Sequence, residues 1–120
     1  LIYSSRGEAY YKTKQYKKAI KDYTKALLLS PKKFSSYENY GNAYFFLKKY
    51  KKAVKYYTKA IEIDPEYYGG YYNRALAYDK LDDCDALDDY KQVLELEKKL
   101  DAPFKKKIKK RIKDLEEECE

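Results

Sequence analysis

Apolar residues recur along this chain every three or four positions. Between residues 16 and 29, Tyr16, Ala19, Ile20, Tyr23, Ala26 and Leu27 fall on one stripe, and Lys17, Lys18, Lys21 and Lys25 fall outside it. That is the period of an amphipathic helix with a single buried face. Residues 50–63 repeat the pattern, and Ser30-Pro31 and Asp64-Pro65 close the two segments where a missing N–H costs little. Before each of them the spacing predicts a partner helix, over 1–13 (Tyr3, Gly7, Tyr10, Tyr11) and over 34–47. A third pair begins near Glu66. Its first helix carries Tyr71, Asn73, Ala77, Tyr78 and Leu81, and its second, lacking a closing Pro, is expected to continue through Lys99. Asp101-Ala102-Pro103 reads as an N-cap with Pro in the first turn, followed by a narrow stripe of Phe104, Ile108, Ile112 and Leu115.

The pattern is a repeat in identity as well as in period. From Tyr3 to Pro31 and from Tyr37 to Pro65, fifteen of twenty-nine positions are identical at an offset of 34, including Gly7/Gly41, Tyr10/Tyr44, Ala19/Ala53, Tyr23/Tyr57 and Ala26/Ala60. In the third unit Ala86 and Tyr90 match only at an offset of 33, so one residue is missing near Cys84. A mid-helix Gly costs roughly 1 kcal/mol relative to Ala. Its recurrence at 7 and 41, with Ala75 next, predicts that two helices approach closely there. These residues resemble the tetratricopeptide repeat (TPR) family, whose unit is a helix-turn-helix of 34 residues.

The resemblance implies an all-α, right-handed superhelical solenoid of about seven helices: repeat one over 1–32, repeat two over 33–66, repeat three over 67–99, and a capping helix over 101–120 that covers the apolar end of the stack. The whole is expected to be one domain.

The net charge of +7 is uneven: residues 1–66 carry 15 basic and 6 acidic groups, 67–102 carry 5 and 9, and 103–120 carry 7 and 5. A basic majority favours an acidic partner without naming its class. The absence of His removes the commonest general base and metal ligand. No Cys-x-x-Cys spacing offers a metal site, so neither catalysis nor a cofactor is expected. Cys84 and Cys119 are expected to be reduced thiols in separate helices, Cys84 buried as a small core residue. With no long apolar run and no signal-like segment, the reading is a soluble, cytoplasmic protein with no membrane span.

Most of the 17 tyrosines stand at repeat-equivalent positions, where packing rather than base stacking explains them. The acidic run Asp79, Asp82, Asp83, Asp85, Asp88 and Asp89 lacks calcium-loop spacing and reads as a solvated face. The cations from Lys105 to Lys113 read as the exposed side of the last helix.

Function follows from the resemblance. TPR domains bind a peptide or a partner helix in a groove lined by the first helix of each repeat. That assigns Ser4, Glu8, Tyr11 and Lys12, then Glu38, Asn39, Asn42 and Phe45, then Tyr72, Asn73, Leu76 and Lys80 to the groove. Asn side chains there can both donate to and accept from a peptide backbone. A TPR subclass grips the C-terminal carboxylates of heat-shock chaperones with Asn and Lys or Arg. Begun at repeat one, that pattern matches only Asn39, with Ser4, Glu8, Gly69 and Asn73 elsewhere in it. Begun at repeat two, it matches Asn42 and Asn73, has Glu38 in place of the first Lys, and needs final cations from the last helix, Lys106 or Lys110. The resulting expectation is a non-catalytic protein-binding module, a co-chaperone or scaffold whose partner can be an acidic chaperone tail. The alternatives are a basic surface for RNA or another acidic polymer, with nucleic acid disfavoured by the tyrosine spacing, and the targeting module of a larger enzyme.

Overall fold

The computed structural model describes residues 2–31 and 33–119. Leu1, Lys32 and Glu120, which the sequence reading puts at the ends of repeat one and of the last helix, lie outside them. The described residues form seven helices: α1 (Ile2–Lys12), α2 (Tyr16–Leu29), α3 (Phe34–Phe46), α4 (Tyr50–Ile63), α5 (Tyr68–Lys80), α6 (Ala86–Leu96) and α7 (Ala102–Glu118). The three pairs stack with one capping helix, as the TPR pattern requires. Among the described residues no helix is long and apolar enough to cross a membrane.

Each helix packs on the next, and the curvature follows from which others meet. α1 touches α3 and α3 touches α5, whereas among the described residues neither α2 and α4 nor α4 and α6 come together. The first helices of the repeats therefore form the inner, concave layer and the second helices the splayed outer one. Ala19, Tyr23, Ala53, Tyr57, Ala86 and Tyr90 are at most 3% exposed, so the stripe read from sequence is the core. A Cβ built on Gly7 would stand 2.8 Å from Tyr23 Cε1, and one on Gly41 would stand 2.6 Å from the Tyr57 ring. The close approach is real, and the tyrosine of the second helix fills it.

The turn inside each repeat is the same motif three times. The N–H groups of Gln15, Lys49 and Asp83 donate to the carbonyls of Tyr10, Tyr44 and Tyr78 at 2.8, 2.9 and 3.0 Å. The residue before each donor, Lys14, Lys48 or Asp82, is left-handed, with φ of 62°, 62° and 53°. This is a Schellman ending that usually employs Gly.

Within repeats one and three the paired helices are bound by a bidentate ion pair. Arg6 donates to both carboxylate oxygens of buried Asp22 at 2.8 Å. Arg74 donates to those of Asp89 at 2.8 and 2.7 Å, and its third contact is to Thr58 of α4. Repeat two puts Tyr40 and Tyr56 at the same places, with ring centroids 4.2 Å apart. Arg6 holds the Asp22 carboxyl below the usual range through its hydrogen bonds. At Asp89, burial outweighs the pull of Arg74 and pushes the carboxyl up.

Four expectations are corrected. Cys84 and Cys119 are joined in a disulfide, not reduced. Cys84 is exposed, in the turn before α6, not buried in a helix, because α6 starts only at Ala86, the counterpart of Ala53 inside α4, and the segment that opens α4 is here a turn joined to the end of α7. The oxidised pair removes the ground on which a reducing compartment was expected. α6 ends at Leu96, with the Glu97 N–H closing on Val93, rather than at Lys99. The acidic run is not all solvated, since Asp89 is buried on Arg74 and Asp79 pairs with Arg111 at 2.9 Å. Arg111 thereby leaves the exposed cationic face and ties α7 to α5. The Asp101 cap is as read, its carboxylate accepting the Phe104 N–H at 2.8 Å, and the stripe beyond it buries Ile108 and Leu115 against α6.

Candidate functional site

Every residue assigned to the groove lies on the inner helices α1, α3 or α5, but they fall into three separate environments. At the α1/α3 junction, Ser4, Glu8 and Asn39 line a polar hollow of about 340 Å³ with Lys33 and buried Ser36. Glu8 also meets Lys12 at 3.4 Å across one helical turn. A carboxylate there makes the hollow a poor seat for an anion.

The middle of the inner layer is aromatic. Tyr11 lies edge-on to Tyr16 and Phe46, with centroids 5.5 and 6.0 Å away, and Phe45 lies edge-on to Tyr50 at 5.3 Å. Asn42 accepts the hydroxyl of buried Tyr57, which leaves its amide N–H groups as donors. The equivalent Tyr23 hydroxyl is buried without a hydrogen-bond partner among the described residues, while Glu8, at the place of Asn42, pairs with Lys12 instead. Burial pushes the Tyr23 and Tyr57 phenols far up. Glu38 sits in this region, half-buried, and burial raises its carboxyl above the usual range. Its charge, after burial, adds to the upward shifts of Tyr11 and Tyr67, so it stands within electrostatic reach of both neighbouring repeats.

The third environment is a cleft of about 320 Å³ between α5 and α7. Tyr72, Leu76, Tyr90 and Ile108 form its apolar wall, and Asp79, Lys107, Lys110, Arg111 and Asp114 its polar one. Tyr72 is steadied by Phe104 at 5.0 Å. The carboxylate of Asp79 is saturated, accepting the Tyr90 hydroxyl and two Arg111 N–H groups. Lys110 meets Asp114 at 3.6 Å on the open surface, an exposed pair of small energetic weight. Lys107 forms no ion pair among the described residues. This cleft therefore sets Lys107 and Lys110 beside an apolar floor, with Asp79 and Asp114 in the same wall.

Of the predicted residues, Tyr72 and Leu76 enter this cleft, while Asn73, half-buried and in no side-chain hydrogen bond among the described residues, shares their helix. Lys80 is exposed and outside it. Of the two cations expected from the last helix, Lys110 lines the cleft and Lys106 does not; Lys107 takes that place. Asp79, Lys107 and Arg111 went unread as site residues, although positions 107 and 111 flank the apolar stripe of α7 and its spacing was the signal.

The comparisons agree with this architecture. Tetratricopeptide repeat profiles match residues 1–66 and 56–95. No curated protein sequence matches the chain significantly. Among solved structures, the first TPR of Spaghetti (RPAP3), bound to the HSP90 peptide SRMEEVD, is 28% identical, covers 97% of this chain and 89% of its own, and superposes with a TM-score of 0.84. The Arabidopsis OM64 TPR domain is 30% identical over 94% of this chain and 93% of its own, also at 0.84. The second TPR domain of human RPAP3, in complex with the HSP70 peptide SGPTIEEVD, is 26% identical over 95% and 92%, at 0.82. With a profile spanning more than half of its length and the helix pairs, turns and cap in place, this chain belongs to the tetratricopeptide repeat family.

Proposed function

We propose that this chain is a non-catalytic interaction module whose concave layer takes an extended peptide, with the acidic C-terminal end of that peptide seated between α5 and α7. The division into repeats over 1–32, 33–66 and 67–99 with a cap over 101–120 is the frame for this reading. The observation that carries it is the α5/α7 cleft, where Lys107 and Lys110 stand beside the apolar wall of Tyr72, Leu76 and Ile108. Asn42 and Asn73 are the groups we assign to the peptide backbone and its terminal carboxylate, with Phe45 and Tyr11 as apolar contacts and Asn39, Glu8, Lys12 and Lys80 at the edges. Structurally similar TPR domains hold peptides ending in Glu-Glu-Val-Asp, which supports an acidic chaperone tail as the partner class, and hence a co-chaperone or scaffold role.

A fluorescence-anisotropy titration with labelled SRMEEVD, as free acid and as C-terminal amide, tests this. The expected result is micromolar binding of the acid and loss on amidation, with Asn73→Ala and Lys107→Ala each weakening the acid roughly tenfold. Equal binding of acid and amide removes the terminal carboxylate from the site. Absence of both rejects the chaperone tail.

A further inference from the structure

The outer layer carries a second surface that the concave site does not use. There are five lysines between residues 14 and 29 and six between 48 and 63, against two carboxylates, Asp22 and Glu62. Asp22 is buried on Arg6. None of these lysines enters an ion pair among the described residues, and ten of the eleven are exposed. Residues 82–96 reverse the sign, with six carboxylates and one lysine. The basic face is thus confined to the first two repeats.

It is also indented, twice, in the same way. A shallow, open hollow of about 340 Å³ lies where Lys14, Tyr16 and Lys18 at the start of α2 face Leu47. Another of about 350 Å³ opens one repeat later, where Lys48, Tyr50 and Lys52 face Leu81. Each has a tyrosine and a leucine as its floor and lysines at its rim. A flat attraction for any polyanion needs no such floor; two apolar sockets one repeat apart, each ringed by cations, select a chain that carries apolar side chains among acids.

The ring faces speak against nucleic acid. Tyr16 is stacked on Phe46 at 5.6 Å, and Tyr44 lies between Tyr56 at 5.6 Å and the Lys52 ammonium at 5.3 Å. Lys18 similarly covers Tyr10. Each of these rings already has a face occupied, which leaves less ring surface for a run of stacked bases. All three arginines are committed to Asp22, Asp79 and Asp89, so bidentate readout of phosphate or guanine is not available here. We infer that the outer face of α2 and α4 docks an acidic polypeptide segment of the partner, distinct from the end held on the concave side, with apolar side chains of that segment entering the two sockets.

The probe is a labelled acidic peptide with leucines placed among glutamates, amidated at its C-terminus so that a terminal carboxylate contributes nothing. Its controls are the same peptide with serine for leucine and a single-stranded oligonucleotide of equal charge. The leucine peptide is expected to bind roughly tenfold more tightly than either control at about 150 mM salt. Lys18→Glu combined with Lys52→Glu, both exposed and checked for unchanged circular dichroism, is expected to weaken it by at least that factor, while Asn73→Ala leaves it unaltered. Equal affinity for all three probes, falling together with salt, overturns the sockets in favour of bare charge attraction. Concentration-dependent self-association in sedimentation that vanishes in the same lysine variant overturns it in favour of a second copy, whose acidic third repeat would be the occupant. Competition of the peptide by unlabelled SRMEEVD places it on the concave side and also rejects the inference.

Discussion

At the scale of single residues the repeat is tuned by where glycine stands and where it does not. Gly41 is required by the Tyr57 ring, 2.6 Å from a built Cβ, and that ring is 2% exposed with its hydroxyl tied to Asn42. It has nowhere to move. Gly41→Ala is therefore expected to destabilise by up to about 2 kcal/mol in urea unfolding, the overpacking cost of about 1–3 kcal/mol exceeding the gain of about 1 kcal/mol in helix propensity. At Lys48 the logic inverts: the left-handed φ of 62° costs a residue with a Cβ about 1 kcal/mol, so Lys48→Gly is expected to stabilise by roughly 0.5–1 kcal/mol. The buried phenols give a third expectation. Burial pushes Tyr44 up to about 12 and raises Tyr23, Tyr57 and Tyr90 as well. Tyrosines raised in the fold contribute stability that is complete below the unfolded value of about 10 and is lost as pH climbs through the folded one. Helical ellipticity should accordingly fall as pH rises above about 10, together with the last phenolates to appear in the absorbance titration; a complete phenolate titration with the helices intact would mean the raised rings are open to water.

At the scale of helices, what the sequence made legible depended on the offset. α2 and α4 were read to the residue because stripe, lysine face and Pro agree, and Gly7/Gly41 announced the close crossing. The Arg6–Asp22 and Arg74–Asp89 locks were missed because repeat two holds Tyr40 and Tyr56 at those places, so a comparison at 34 residues shows only mismatches. The disulfide was illegible for a different reason. Its cysteines are 35 residues apart, and only the turn before α6 brings Cys84 to the end of α7. That bond has a mechanical consequence. α7 lies against one helix, α6, and otherwise reaches α5 through the Tyr72–Phe104 contact and the Arg111–Asp79 pair. Closing a loop of this length removes about 3–4 kcal/mol of unfolded-chain entropy, so reduction, or Cys84→Ser with Cys119→Ser, is expected to lower stability by up to that amount. Hydrogen exchange should show the loss beginning in the last turns of α7. Exchange rising evenly over all seven helices would instead make the bond a global clamp.

At the scale of the whole molecule, an inner layer that is acidic at one end and cationic at the other gives a bound chain a direction. Glu8 lines the α1/α3 hollow, Glu38 stands in the middle, and Lys107 and Lys110 line the α5/α7 side. On the proposed function, an acidic tail would be drawn toward α7 and opposed in the middle by Glu38. That residue also opposes folding at neutral pH: burial raises its carboxyl, so its contribution is complete only below the unfolded value of about 4.3 and is lost as pH rises through the folded one. Glu38→Gln should therefore stabilise the fold at pH 7, and it should tighten SRMEEVD by removing a repulsive charge from its path. Glu38→Lys, which puts a cation in the same path, should tighten it further, by roughly tenfold over the parent at low salt, equivalent to about 1.4 kcal/mol. The same two variants should leave the amidated leucine–glutamate peptide on the outer face unaffected, because that face lies on α2 and α4 and not on α3. If Glu38→Gln folds as well as the parent and neither variant alters SRMEEVD affinity, the acidic chain does not cross α3, and the α5/α7 cleft must act on a ligand that approaches from the α7 side alone.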